Sequence, residues 1–296
     1  ARLPEGFALH RLGAVVLKTT TPRPRLGNPE PRWHPPGSWR RAYLEQGYRG
    51  PFLNSIGLTN PGIEALLAEH APRWDAWGVP VVLSVAGDTV EQFAALARRV
   101  EAFVQGGGPG AAAVRALELN LSCPNVERGM TFGQDAALAA ETVAAVREAT
   151  SLPLLAKLTP NVADAVPVAR AAAQAGADAL TLGNTLQAMA VDVEARRPVL
   201  GAATGGLSGP ALKPVALAMV YRTAQVVDVP LVGVGGIMGA GDALEYLMAG
   251  ASAVQLGTAM YINPFLALET LDGLAAWLGE RGVADVGQVI GAALPR

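Results

Sequence analysis

Short apolar runs recur along the chain at 14–18, 79–85, 116–121, 154–158, 179–182, 231–234 and 253–256. Each is too short for a globular helix and reads as a buried strand. Most are followed by a polar or glycine-rich turn and then by apolar residues at helical spacing, which predicts helices over 90–105, 135–149, 164–175, 210–227, 241–249 and 264–281. Strands that alternate with amphipathic helices must pair in parallel, so the pattern predicts an α/β fold of the (β/α)8 TIM-barrel class. Seven strands can be counted rather than eight. Because 7–13 reads as the tail of a helix leading into a strand, the first strand is the one expected to be missing from this chain.

Composition narrows the picture. The chain has 296 residues, 51% hydrophobic and 16% charged, with a formal net charge of −2. Its glycines and prolines fall at the ends of apolar runs rather than in a linker, so 1–296 is expected to be a single domain. A near-neutral charge with no Lys/Arg run gives no reason to expect nucleic acid as a partner. No apolar stretch reaches about 18 residues, the length a membrane span needs. Residues 1–10 lack the basic start and apolar centre of a signal peptide. With a single cysteine, which suits a reducing compartment, the expectation is a cytoplasmic protein with no membrane association.

The chemistry gathers where strands end. The third run finishes in Asn120-Leu121-Ser122-Cys123-Pro124-Asn125. Cys123, the only cysteine, either fills space or reacts; its place past a strand end, beside a proline and between Asn120 and Asn125, favours reaction. Other strand ends carry Lys18-Thr19-Thr20, Lys157-Leu158-Thr159, Gly183-Asn184-Thr185, Gly235-Gly236 and Gly257-Thr258. In a barrel these converge on one mouth, where barrel enzymes keep their active sites. A lysine there either lays its stem on the wall with the ammonium in solvent or meets an anion. Two of them among hydroxyls and amides favour a bound anion. The late glycines, with 205–210 opening a helix, let backbone N–H groups approach a phosphate. His10, His34 and His70 fall in segments read as helix tail or loop and are expected at the surface. No metal-ligand spacing, Ser-His-Asp order or pair of carboxylates at strand ends is visible, which disfavours metal hydrolysis and glycoside chemistry.

Taken in order, Lys18-Thr19-Thr20, Gly27-Asn28-Pro29-Glu30-Pro31-Arg32, the run from Asn54 to Gly62, Asn120 to Asn125, Lys157 to Asn161, Gly206 to Gly209 and Gly233 to Met238 resemble the class 1 dihydroorotate dehydrogenases, flavin enzymes of pyrimidine biosynthesis. The resemblance implies FMN at the barrel mouth, its phosphate on Gly209, Gly235, Gly236, Gly257 and Thr258, with Lys18, Thr19, Asn120 and Lys157 also on the cofactor. It implies a substrate site of Lys18, Asn54, Ile56, Gly57, Leu58, Asn120, Asn125, Asn184 and Thr185, and Cys123 as the base that takes the C5 proton of dihydroorotate while a hydride leaves C6. No metal is implied. The run from Asn54 to Gly62 and Leu212-Lys213-Pro214-Val215-Ala216-Leu217 are closer to the NAD-linked subgroup, which passes electrons to a separate FAD and iron–sulfur subunit, than to the fumarate-using homodimers; a homodimer is expected for this chain as well. One cysteine cannot hold such a cluster in this chain.

Two features depart from the family pattern. Its opening strand is not found, and 33–50 is longer than the expected link, with Arg40, Arg41 and Arg49 against Glu45 alone and with Trp33, Trp39, Tyr43 and Tyr48. This inserted stretch is either a solvated loop pinned by its aromatics or a cover for the mouth or a partner. Two other functions compete. A dihydrouridine synthase acting on RNA would show salt-sensitive RNA affinity, and a flavin-binding barrel without catalysis would be indifferent to Cys123→Ser.

Overall fold

The computed structural model describes residues 4–47, 52–122 and 131–295. Seven strands form one sheet in the order Val15–Val16, Val81–Val85, Val114–Asn120, Leu154–Leu158, Ala179–Leu182, Leu231–Val234 and Ala253–Gln255. Every neighbouring pair is parallel. These are the seven apolar runs, in chain order, with helices packed on their outer side: a TIM-barrel sheet, open at the seam between its first and last strands.

The predicted helices are present as Val90–Gln105, Ala136–Arg147, Val166–Gln174, Lys213–Ala224, Ala240–Met248 and Leu266–Glu280. Thr89 starts the first by accepting the Gln92 N–H, and Asp135 starts the second by accepting that of Leu138 at 2.8 Å, each satisfying an orphan donor of the first turn. Two expectations are corrected. The stretch 210–227 opens as a separate 3-10 turn, Pro210–Leu212, before the α-helix begins at Lys213 with Pro214 in its first turn, where a missing N–H costs nothing. The stretch 7–13 is only a single 3-10 turn, Leu9–Arg11.

Strand periodicity sorts the core into two environments. Leu117, Leu119 and Leu121 point outward and are fully buried with Phe93, Leu96 and Val100 of the first long helix. Each such side chain contributes about 1.5–3 kcal/mol on burial. The alternate positions point inward, and there the strands carry Ser84, Glu118, Asn120, Lys157, Thr181 and Gln255. On Leu154–Leu158 the outward residues are buried and the inward Leu155 and Lys157 only half-buried.

The sequence did not predict a second, antiparallel sheet, ordered Trp33–His34, Phe52–Asn54, Gly205–Ser208, Leu186–Ala188. Its strands are two to four residues long, too short to show alternation. Nor did it predict the succession of short helical turns from Ile63 to Trp77 that buries Trp74.

The stretch 33–50 is not a solvated loop over its described part. It holds the strand Trp33–His34 and the helix Trp39–Leu44, capped by Ser38. Trp39 is buried, its ring 5.0 Å from Trp33 and 4.9 Å from Phe52, and Arg40 Nη1 donates to the Ile262 carbonyl at 3.1 Å. His34 is accordingly half-buried in a strand rather than at the surface, and burial lowers its pKa. His10 and His70 are exposed as expected. Among the described residues no helix is long and apolar enough to cross a membrane.

Candidate active site

The strand ends meet around a pocket open to solvent. Lys157, Asn184, Thr185, Gly209, Gly235, Gly236, Gly257 and Thr258 all line it, so residues spread over a hundred positions of sequence share one cavity. Its glycine wall fits a phosphate. Gly236 has φ +68°, and a Cβ there would stand 2.8 Å from the Gly209 carbonyl and 2.7 Å from the Lys213 nitrogen. At Gly257, by contrast, no heavy atom lies within 4 Å of where a Cβ would be, leaving open space where a backbone can approach an oxyanion. The turn is anchored from behind by Tyr246, whose hydroxyl donates to the Gly235 carbonyl at 2.7 Å. Burial, with Asp242 and Glu245 nearby, holds this phenol well above its ordinary pKa, so it stays a donor.

The aromatic stretch reaches this wall as well. Met238 lines the pocket and packs against Trp39, Phe52 and Ile262. The segment therefore buttresses the cavity from outside.

A second group is a hydrogen-bonded chain of amides and hydroxyls. Thr19 Oγ1 lies 2.9 Å from Ser84 Oγ and accepts from Asn120 Nδ2 at 3.3 Å. Asn120 Oδ1 accepts from Ser122 Oγ at 2.6 Å and from Asn184 Nδ2 at 3.2 Å; Asn184 Nδ2 also reaches Ser122 Oγ at 2.9 Å. Thr19, Asn120 and Asn184, named from three strand ends, are thus one unit. Lys18 is adjacent, its carbonyl accepting from Thr20 Oγ1 at 3.1 Å.

Asn54, Ile56, Gly57 and Leu58 do not line the pocket. Asn54 ends its strand in register with Gly206 on the antiparallel sheet. The Ile56-to-Asn60 turn stands instead against the first strand end, because Asn60 donates to the Leu58 carbonyl at 2.7 Å and to Thr21 Oγ1 at 2.8 Å. Leu58 holds φ +54° there, an uncommon conformation for leucine that clusters at functional sites. Cys123 and Asn125 lie outside the described residues.

Sequence reasoning missed Glu118, Ser122 and Gln255. Lys157 Nζ donates to Gln255 Oε1 at 3.2 Å and lies 3.5 Å from Glu118 Oε1. The available signal was parity: an acid two residues before Asn120 in a strand shares its inward face.

Gly183 supports the site by conformation. Its φ is +117°, and a Cβ would stand 1.9 Å from the Val234 carbonyl oxygen. Gly183→Ala is expected to lower stability by about 1–3 kcal/mol, read by chemical denaturation; an unchanged midpoint would show that the strand end tolerates a side chain.

The family model for dihydroorotate dehydrogenase matches residues 3–278. A protein of Desulforudis audaxviator named dihydroorotate dehydrogenase B (NAD(+)), catalytic subunit, is 49% identical over 283 residues, 95% of this chain and 86% of that one. Proteins of the same name from Trichlorobacter lovleyi and Geobacillus kaustophilus are 47% and 43% identical over 285 and 286 residues, in each case 96% of this chain and 87% and 85% of theirs. With a parallel barrel sheet, a glycine-walled pocket and this breadth of identity, the chain belongs to the dihydroorotate dehydrogenase family.

Proposed function

We propose that this chain oxidises dihydroorotate to orotate with FMN as its flavin, and that its electrons leave through a separate NAD-linked subunit. The observation that carries the reading is the pocket itself, in which a glycine wall and the Lys157 ammonium adjoin the Thr19–Asn120–Asn184 chain. Gly209, Gly235, Gly236, Gly257 and Thr258 would hold the phosphate, with Lys157 and Asn120 at the ring. When bound, the flavin supplies the acceptor for the hydride that leaves C6.

The remaining work belongs to the protein. Cys123 takes the C5 proton at its sulfur. Asn120, Asn125 and Asn184 meet the polar edge of the substrate, with Thr185 beside them, and Lys18 meets its carboxylate; an analogue lacking the edge leaves buried amides unpaired and is rejected. The turn Ile56-Gly57-Leu58 with Asn54 closes the side facing the first strand end. The partner reading is supported by the catalytic-subunit name that the relatives share.

The purified protein is expected to be yellow and to bleach when dihydroorotate is added without oxygen. Recolouring by NAD only in the presence of a second subunit supports the NAD-linked reading, and recolouring by fumarate alone overturns it. A protein that binds flavin but does not bleach would be a flavin-binding barrel without this activity.

A further inference from the structure

We infer that Glu118 is a positioning residue for Lys157, holding its ammonium at the pocket wall and setting how much of its positive charge the pocket feels. This rests on the flavin reading above. Glu118 lies within the strand Val114–Asn120, between the buried Leu117 and Leu119, and is 1% exposed. A carboxylate in that position is costly unless paired and hydrogen-bonded. Its partners come from three other strands. Thr181 Oγ1 donates to Oε2 at 3.0 Å, Gln255 Nε2 donates to the same oxygen at 2.8 Å, and Lys157 Nζ stands 3.5 Å from Oε1.

Gln255 closes the arrangement. Its amide nitrogen faces the carboxylate while its carbonyl accepts from Lys157 Nζ at 3.2 Å, so the two charges are tied through one side chain whose orientation both ends dictate. Lys157 and Gln255 line the pocket and Glu118 does not. The acid therefore sits behind the lysine as a counter-charge. Lys157 favours the negative charge that a flavin gains on reduction, and Glu118 subtracts from that effect.

Glu118→Gln keeps the shape and a hydrogen-bonding head but removes the charge. The midpoint potential of the bound flavin is expected to rise, by about tenfold in the redox equilibrium or ~30 mV for a two-electron couple, with FMN still bound. Glu118→Asp, which keeps the charge, is expected to stay near the wild-type potential. If E118Q loads flavin and its potential is unchanged or lower, or if E118D moves as far as E118Q, the inference is overturned. Should the wild-type protein take up no flavin, the flavin reading has failed, and the pair is judged on flavin-free protein alone. There, and also if E118Q cannot be loaded, unfolding energies of E118Q, K157Q and the double variant decide: non-additive losses support the coupling, and additive ones overturn it.

Discussion

Replacing Cys123 by serine is expected to slow dihydroorotate oxidation by about 10²–10⁴-fold near neutral pH, the range a positioned general base contributes. With a reference pKa of about 8.5, a cysteine is partly thiolate near neutrality, and the thiolate accepts the proton to become the thiol. A serine hydroxyl is a far weaker base, so the rate of the variant should keep climbing with pH where the wild type levels off. The neighbouring hydroxyl cannot substitute. Ser122 Oγ donates to Asn120 Oδ1 at 2.6 Å and lies 2.9 Å from Asn184 Nδ2, so it is already engaged on both sides. Anaerobic stopped-flow bleaching across pH measures the effect, with flavin content as the control. A C123S protein with wild-type rate and profile would remove the cysteine from the chemistry.

Lys157→Met is expected to destabilise the flavin-free protein by about 3–5 kcal/mol, the cost of leaving one member of a buried ion pair behind. The size follows from the asymmetry of the pair. The Lys157 side chain is 17% exposed and that of Glu118 only 1%, so the methionine strands a carboxylate that water cannot reach. The Thr181 and Gln255 donors remain on Glu118 and hold the loss toward the lower end. In K157M/E118L, with both charges gone and the volume kept, most of the stability should return. Urea denaturation reads both variants. A single variant as stable as wild type would mean that the Glu118 charge is relieved elsewhere.

Much of the barrel was legible because it repeats. Leu117, Leu119 and Leu121 announce a strand by parity, and the residues after it, Asn120 to Asn125, announce a polar mouth. The same logic brought Lys157, Asn184, Gly235 and Gly257 into one list, and the structure brings them into one pocket. The site was less legible where position depends on a partner strand. Nothing near Gln255 in sequence says that its amide will bridge Glu118 and Lys157. Nothing near Asn54 says that it will pair with Gly206 and stay out of the pocket. In the stretch 33–50 the aromatics that were expected to pin it do so, but their partners were not legible: Trp39 is buried only because Phe52 and Ile262, one of them more than two hundred residues away, supply its walls.

Local periodicity and the chemistry of strand ends were enough to name the barrel, its mouth and the residue types gathered there, since burial of alternate or helically spaced side chains depends on neighbours a few positions away. Which inward side chains touch, which charge stands behind which, and that a tryptophan-bearing insert braces the pocket were decided only in the folded chain. Register between strands and the docking of short segments are set by contacts between residues far apart in sequence, and no local pattern encodes those distances.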